Sequence, residues 1–267
     1  HGAITVTASL RFELPYDLAV LPDGAVLFLD RGRILRLDRS RRVSLYASTP
    51  SRELIAMERL DDGTLFVTDF PANRILRVDR AGRSSIIAQV AAPADLVADP
   101  TGRRIWVASI APGVGVVEVD VATGRVEPFA NVESPHGIDR DAAGNFYVHD
   151  GHGISRIDGV TRAVTRFADV DGIKLVVAPD GSLYGVVGSP AGGRVVRVAP
   201  GGAVTTVAGN GGLTPSKDGP ALEAGMLPNA VQPASDGSLI VTQGEPIPAI
   251  RRVDRPGGTI TTLARGR

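Results

Sequence analysis

The chain has 267 residues, 43% of them hydrophobic, and carries 29 Lys and Arg against 29 Asp and Glu. That neutral balance argues against a nucleic-acid partner or an anionic membrane surface, and no apolar run has the length of a membrane span or the form of a secretory signal. Cysteine is absent, which excludes disulfides, thiolate chemistry and Cys-ligated metals.

The predicted elements are strands, and they repeat with a period of about 40 residues. The first is a strand at 4–8 within AITVTA, a copy of the strand TITTLA at 259–264 that ends the chain. Units then run over about 13–49, 50–90, 91–132, 133–170 and 171–208; an insert at 209–226 precedes the last unit, 227–267. Each unit has a first strand, a turn built on Gly24, Gly63, Gly102, Gly144, Gly181 or Gly237, and a short apolar second strand. A third strand follows (ILRLD, ILRVD, VVEVD, ISRID, VVRVA, IRRVD), then a fourth (VSLYA, SIIA, VEPFA, VTRFA, VTTVA, ITTLA). Helical spacing is confined to the insert, at 213–226.

A four-stranded antiparallel unit cannot bury both faces alone, whereas six arranged radially cover one another. The expectation is therefore one all-β domain, a six-bladed β-propeller closed by strand 4–8 against the last blade. Closure in this way gives either a five-stranded blade or a displaced strand. The aromatic column of the second strand (Phe28, Phe66, Trp106, Tyr147, Tyr184, with Ile240 in the last unit) reads as packing between blades. The recurring arginine of the third strand (Arg36, Arg77, Arg156, Arg197, Arg252) reads as a solvated or blade-bridging position.

With the turn glycines as register, the first strand is where the units differ. Seven residues before each glycine stand Asp17, Ala56, Asp95, Gly137, Lys174 and Ala230; one position earlier stand Tyr16, Ile55, Ala94, His136, Ile173 and Asn229. Two positions after the first column stand Ala19, Glu58, Val97, Asp139, Val176 and Gln232. First strands line a propeller's channel, so these polar groups need partners or water. One reading is a hydrated channel with local Glu58–Arg59 and Asp139–Arg140 pairing. The other is a ligand or metal site on the axis, with Glu58, Asp139 and His136 as ligands to calcium, magnesium or zinc. Asp17, Asp95, Asp150, Asn229, Gln232 and Gln243 would contact the ligand. Blade four also holds His149 and His152; pairing across the turn puts His136 and His152 at one end, while alternation sets His149 and Asp150 on opposite faces. His136 and His152 suit general acid–base work. Lys174 suits substrate binding or nucleophilic attack, or else pairing with Asp171 or Asp95.

The P-x-x-[LIV] start of each unit, the D/N-G turn, the [IV]-x-R-[VIL]-D strand and VTTVAGNGGLTPSKDGPALEAGMLPNAV at 204–231 resemble NHL repeats. More loosely, they resemble the wider superfamily of gluconolactonase-like and strictosidine-synthase-like propellers. SPHGIDRDAAGNFYVHDG at 134–151 is similar to repeats of streptogramin-lyase propellers. The NHL-like and gluconolactonase-like resemblances imply the six-bladed ring, whereas streptogramin-lyase propellers are seven-bladed and only this one unit resembles theirs; the architecture hosts enzymes, sensors and protein-binding modules. Two functions stay open: a small-molecule enzyme (lyase, hydrolase or cyclase) at the channel mouth, or a non-catalytic sensor or protein-interaction domain of a larger protein. The insert reads as a lid over one face or as packing.

Overall fold

The computed structural model describes residues 10–189, 192–213, 218–244 and 246–267. Six antiparallel sheets stand in a ring, each with its four blade strands hydrogen-bonded in chain order. Their innermost strands are Pro15–Val20, Leu54–Arg59, Pro93–Ala98, Gly137–Arg140, Lys174–Val177 and Pro228–Pro233, and each lies against the innermost strands of both neighbouring blades. The glycines that return each first strand into the second all have φ between 67° and 91°, a left-handed conformation that a Cβ disfavours. Among the described residues, two short 3-10 turns, Phe70–Ala72 and Ala221–Glu223, interrupt the strands, and no helix is long and apolar enough to cross a membrane.

The core is divided into six clusters, each lying between two successive blades. Phe66 of blade two packs with Leu96 and Ile105 of blade three, and Trp106 of blade three lies 4.8 Å from the ring of Phe146 in blade four. The aromatic column therefore packs between blades. The arginine column folds back within its own blade: Arg36 pairs with Asp23, Arg197 with Asp180 and Arg252 with Asp236, each tying a third strand to its own turn.

Ring closure rests on the cluster that joins Phe12, Leu18 and Phe28 to Ala230, Ile240 and Ile250, and on the Arg267 N–H, which donates to Phe12 O at 3.0 Å. The expected closing strand at 4–8 lies outside the described residues. Blade six does have five strands, but the fifth is Gly219–Pro220 of the insert, paired with Thr259 and Ile260. Ala221, Ala224 and Met226 of the same insert are buried between blades five and six, so this part of it is packing.

Candidate functional site in the central channel

The axis carries two polar levels. Asp17, Asp95 and Lys174 come from blades one, three and five and form the first. The Lys174 ammonium lies 2.8 Å from Asp17 Oδ2 and is hydrogen-bonded to Asp95 Oδ1. Each aspartate also accepts the N–H of its successor and one from the next blade: Leu18 and Met57 for Asp17, Leu96 and Ile138 for Asp95, all at 2.8–3.0 Å. Both carboxylates are buried, and they are fully occupied with staples between blades. Burial alone would lower the pKa of Lys174, but the two carboxylates outweigh it and hold the ammonium charged. Burial pushes Asp95 upward, opposed by Lys174 and helped by Asp17. One ammonium thus serves two carboxylates.

The second level lies two residues further, about 7 Å along the strands. It consists of Glu58, Asp139 and Gln232 from blades two, four and six. Asp139 repeats the staple, accepting the N–H of Arg140 at 2.7 Å and of Val177 in blade five at 2.6 Å. Burial nevertheless raises its pKa to about 6. Glu58 makes no hydrogen bond or ion pair among the described residues, and burial, reinforced by Asp139, holds its carboxyl well above the usual range. Between the two levels the channel narrows to a space of about 20 Å³, room for one water.

The expected pairing of each acid with the following arginine does not form. Successive side chains leave a strand in opposite directions. Arg140 accordingly lies over the rings of Trp106 and Phe146, 5.5 and 5.7 Å from their centroids. Nor are Glu58, Asp139 and His136 gathered as metal ligands: no group of three or more His, Asp or Glu among the described residues is placed to hold an ion. The cation between the first-level acids is Lys174 itself.

Blades two, four and six have small residues, Ala56, Gly137 and Ala230, at the first level. Each lies opposite a polar residue of the second strand: Thr68, His149 and Thr242. Thr68 Oγ1 accepts the Ala56 N–H, and Thr242 Oγ1 accepts that of Ala230 while donating to Tyr16 O. His149 does neither. It is 0% exposed, neither ring nitrogen makes a well-formed hydrogen bond, and burial lowers its pKa to about 4, opposed by the backbone of Gly153 and the charge of Asp150. Gly172 of blade five presses so close that a Cβ there would stand 2.5 Å from His149 Nε2. Beside it, the His136 N–H donates to His149 O at 2.8 Å, and His136 Nδ1 is buried without a partner.

The remaining candidates are dispersed. His152 lies exposed in the turn after His149, its N–H donating to Asp150 Oδ1. Asp150 accepts Ser155 Oγ at 2.6 Å and pairs with Arg166 at 3.2 Å. It falls in the column of Asp30 and Asp69, which tie incoming chain: Asp30 accepts the N–H of Glu13 and Leu14, and Asp69 accepts Ser51 Oγ. Gln243 ends the same column, with Nε2 donating to Ile247 O at 2.9 Å and a buried Oε1 left unpartnered. Asn229 Nδ2 donates to Pro15 O across the closure. His149 is the residue that sequence reasoning passed over as a site; its signal was a large polar side chain opposite Gly137, the smallest residue of the first level.

No family model matches the chain, and no curated protein matches it. Solved structures do. They include virginiamycin B lyase from Staphylococcus aureus, 18% identical, with 95% of this chain and 86% of that one covered and a TM-score of 0.64. A gluconolactonase from Xanthomonas campestris is 14% identical over 94% of this chain and 87% of its own, with a TM-score of 0.72. A chain of the nidogen/laminin complex is 16% identical over 91% and 93%, with a TM-score of 0.71. At such identities the likeness shows the fold alone, an all-β propeller like the ring of six blades built above.

Proposed function

We propose that this propeller binds a small molecule at the channel mouth beside blades four and five and acts on it by histidine acid–base chemistry. The carrying observation is the histidine pair. Three buried ring nitrogens, both of His149 and Nδ1 of His136, lack partners, while Thr68 and Thr242 in the matching positions are satisfied. Buried polar groups left open in this way need an explanation, and a water, an ion or a catalytic role can supply it. His136, half-buried at the rim with Nδ1 unpartnered, is placed to meet a ligand. Lys174 is held by Asp17 and Asp95, so it orients rather than attacks. The class of reaction is lyase, hydrolase or cyclase, in keeping with the lyase and gluconolactonase among the similar folds.

The test is a ¹⁵N histidine spectrum recorded while lactones, esters and quinupristin are added in turn, with turnover followed in parallel. One member of the panel should move the His136 and His149 nitrogens, and His136→Ala should abolish its conversion while leaving the fold intact. If every member leaves those nitrogens unmoved, the proposal fails. The self-paired hub of Asp17, Asp95 and Lys174 favours a second reading, a non-catalytic binding module. A ligand that shifts the nitrogens and is never converted would establish that reading instead.

A further inference from the structure

The two arginines that follow the second-level acids, Arg59 and Arg140, occupy one register position and have different surroundings. Arg140 is taken up by Trp106 and Phe146. Arg59 has no ring over it and no ion pair among the described residues, and it is half-buried. A half-buried guanidinium without a carboxylate is unusual, because burial of a charge is unfavourable unless it is paired. Arg59 also borders a cavity of about 230 Å³ at the turn-side end of the channel, where the axis meets the cleft between blades one and two. Ala19, Met57 and Pro233 give it apolar walls; Glu58 and Gln232 stand at its inner end, shared with the narrow space that Asp17 and Lys174 also line.

We infer that this turn-side cavity is a second binding site, taking a small hydroxycarboxylic acid whose carboxylate is held by Arg59 and whose hydroxyl meets Glu58 and Gln232. A planar guanidinium matches a carboxylate with two parallel hydrogen bonds, which a spherical ammonium cannot do. The volume lies below the usual range for drug-sized ligands, which limits the occupant to a small acid. Glu58 is no obstacle to an anion, because burial and Asp139 keep its carboxyl protonated well above the usual range, and a protonated carboxyl donates a hydrogen bond. Arg59 and Gln232 then supply the charge and the amide that complete the site.

The chain has only two methionines, which makes the site easy to read. Met57 lines the cavity, and Met226 is buried under the insert between blades five and six. With ¹³C-methyl methionine, titration with lactate should move the Met57 resonance and leave that of Met226 fixed. Arg59→Gln should weaken lactate about tenfold or more, and Arg59→Lys, which keeps the charge without the fork, should fall between. The unchanged Met226 resonance certifies that each variant is folded. An unmoved Met57 resonance at tens of millimolar lactate overturns the site, as does equal affinity in Arg59→Gln. Inorganic phosphate binding as tightly as lactate overturns the carboxylate assignment. Loss of the histidine response described above leaves all of these outcomes unaffected.

Discussion

The odd and even blades furnish the axis differently. Blades one, three and five place Asp17, Asp95 and Lys174 on it, and these satisfy one another and the backbones of neighbouring blades. Blades two, four and six place Glu58, Asp139 and Gln232 there without a cation, and set Thr68, His149 and Thr242 behind small residues. The first set is finished without a ligand, so it belongs to stability. The second leaves Glu58 and His149 open, and function is to be sought there. Charge compensation, rather than polarity as such, separates the two.

The comparison is most easily broken at Lys174. Lys174→Met strands two buried carboxylates, and removing one partner of a buried pair costs about 3–5 kcal/mol. Urea unfolding should show that loss, with part of it recovered when Asp95→Asn is added. A neutral Lys174→Met would mean that the odd level is not ionic. The next effect is one of pH. Asp139 holds its proton in the folded state up to about pH 6, above its ordinary 3.8, so its contribution to stability is lost as pH rises through that interval; Glu58 acts in the same direction. His149 opposes them. Its folded pKa of about 4 lies below the ordinary 6.5, so stability grows with pH across that range, by up to about 3 kcal/mol. His149→Leu removes only the opposing contribution, and its urea midpoint should fall more steeply from pH 4.5 to 7 than that of the parent. Parallel curves would show that His149 is not buried as a neutral imidazole. The smallest effect belongs to the solvated arginine column: Arg197→Ala breaks an exposed pair with Asp180 and should change stability by less than about 0.5 kcal/mol. A larger loss would assign these arginines a role in joining blades.

The ring was legible in the sequence because its signals are local. Gly24, Gly63 and their counterparts mark turns that any hairpin of this kind requires, and the four strands keep their order around them. Aligning units on those glycines was enough to find the polar levels, since every channel-lining residue lies a fixed distance from its turn. What escaped depends on contacts between blades. Glu58 and Arg59 are neighbours in sequence and border one cavity, yet no ion pair joins them, so adjacency suggested a pair that the fold does not make. Alternation set His149 apart from Asp150, yet its burial comes from Gly172 and Gly185 of the following blade, which no periodicity within blade four reveals. The fifth strand of blade six escaped for another reason: two residues of an insert leave no strand pattern.

The alternation along the axis also sets the grain at which this ring can be rearranged. In its turns and outer strands the protein repeats every blade, but its interior chemistry repeats every second blade. Exchanging blade two for a copy of blade one would put a third acid beside Lys174 and remove Thr68. Transplanting blades one and two together over three and four would preserve an acid at each level and put a hydroxyl where His149 stands. The modular unit for recombination or redesign is thus a pair of blades, and three such pairs, rather than six equivalent parts, compose the circle.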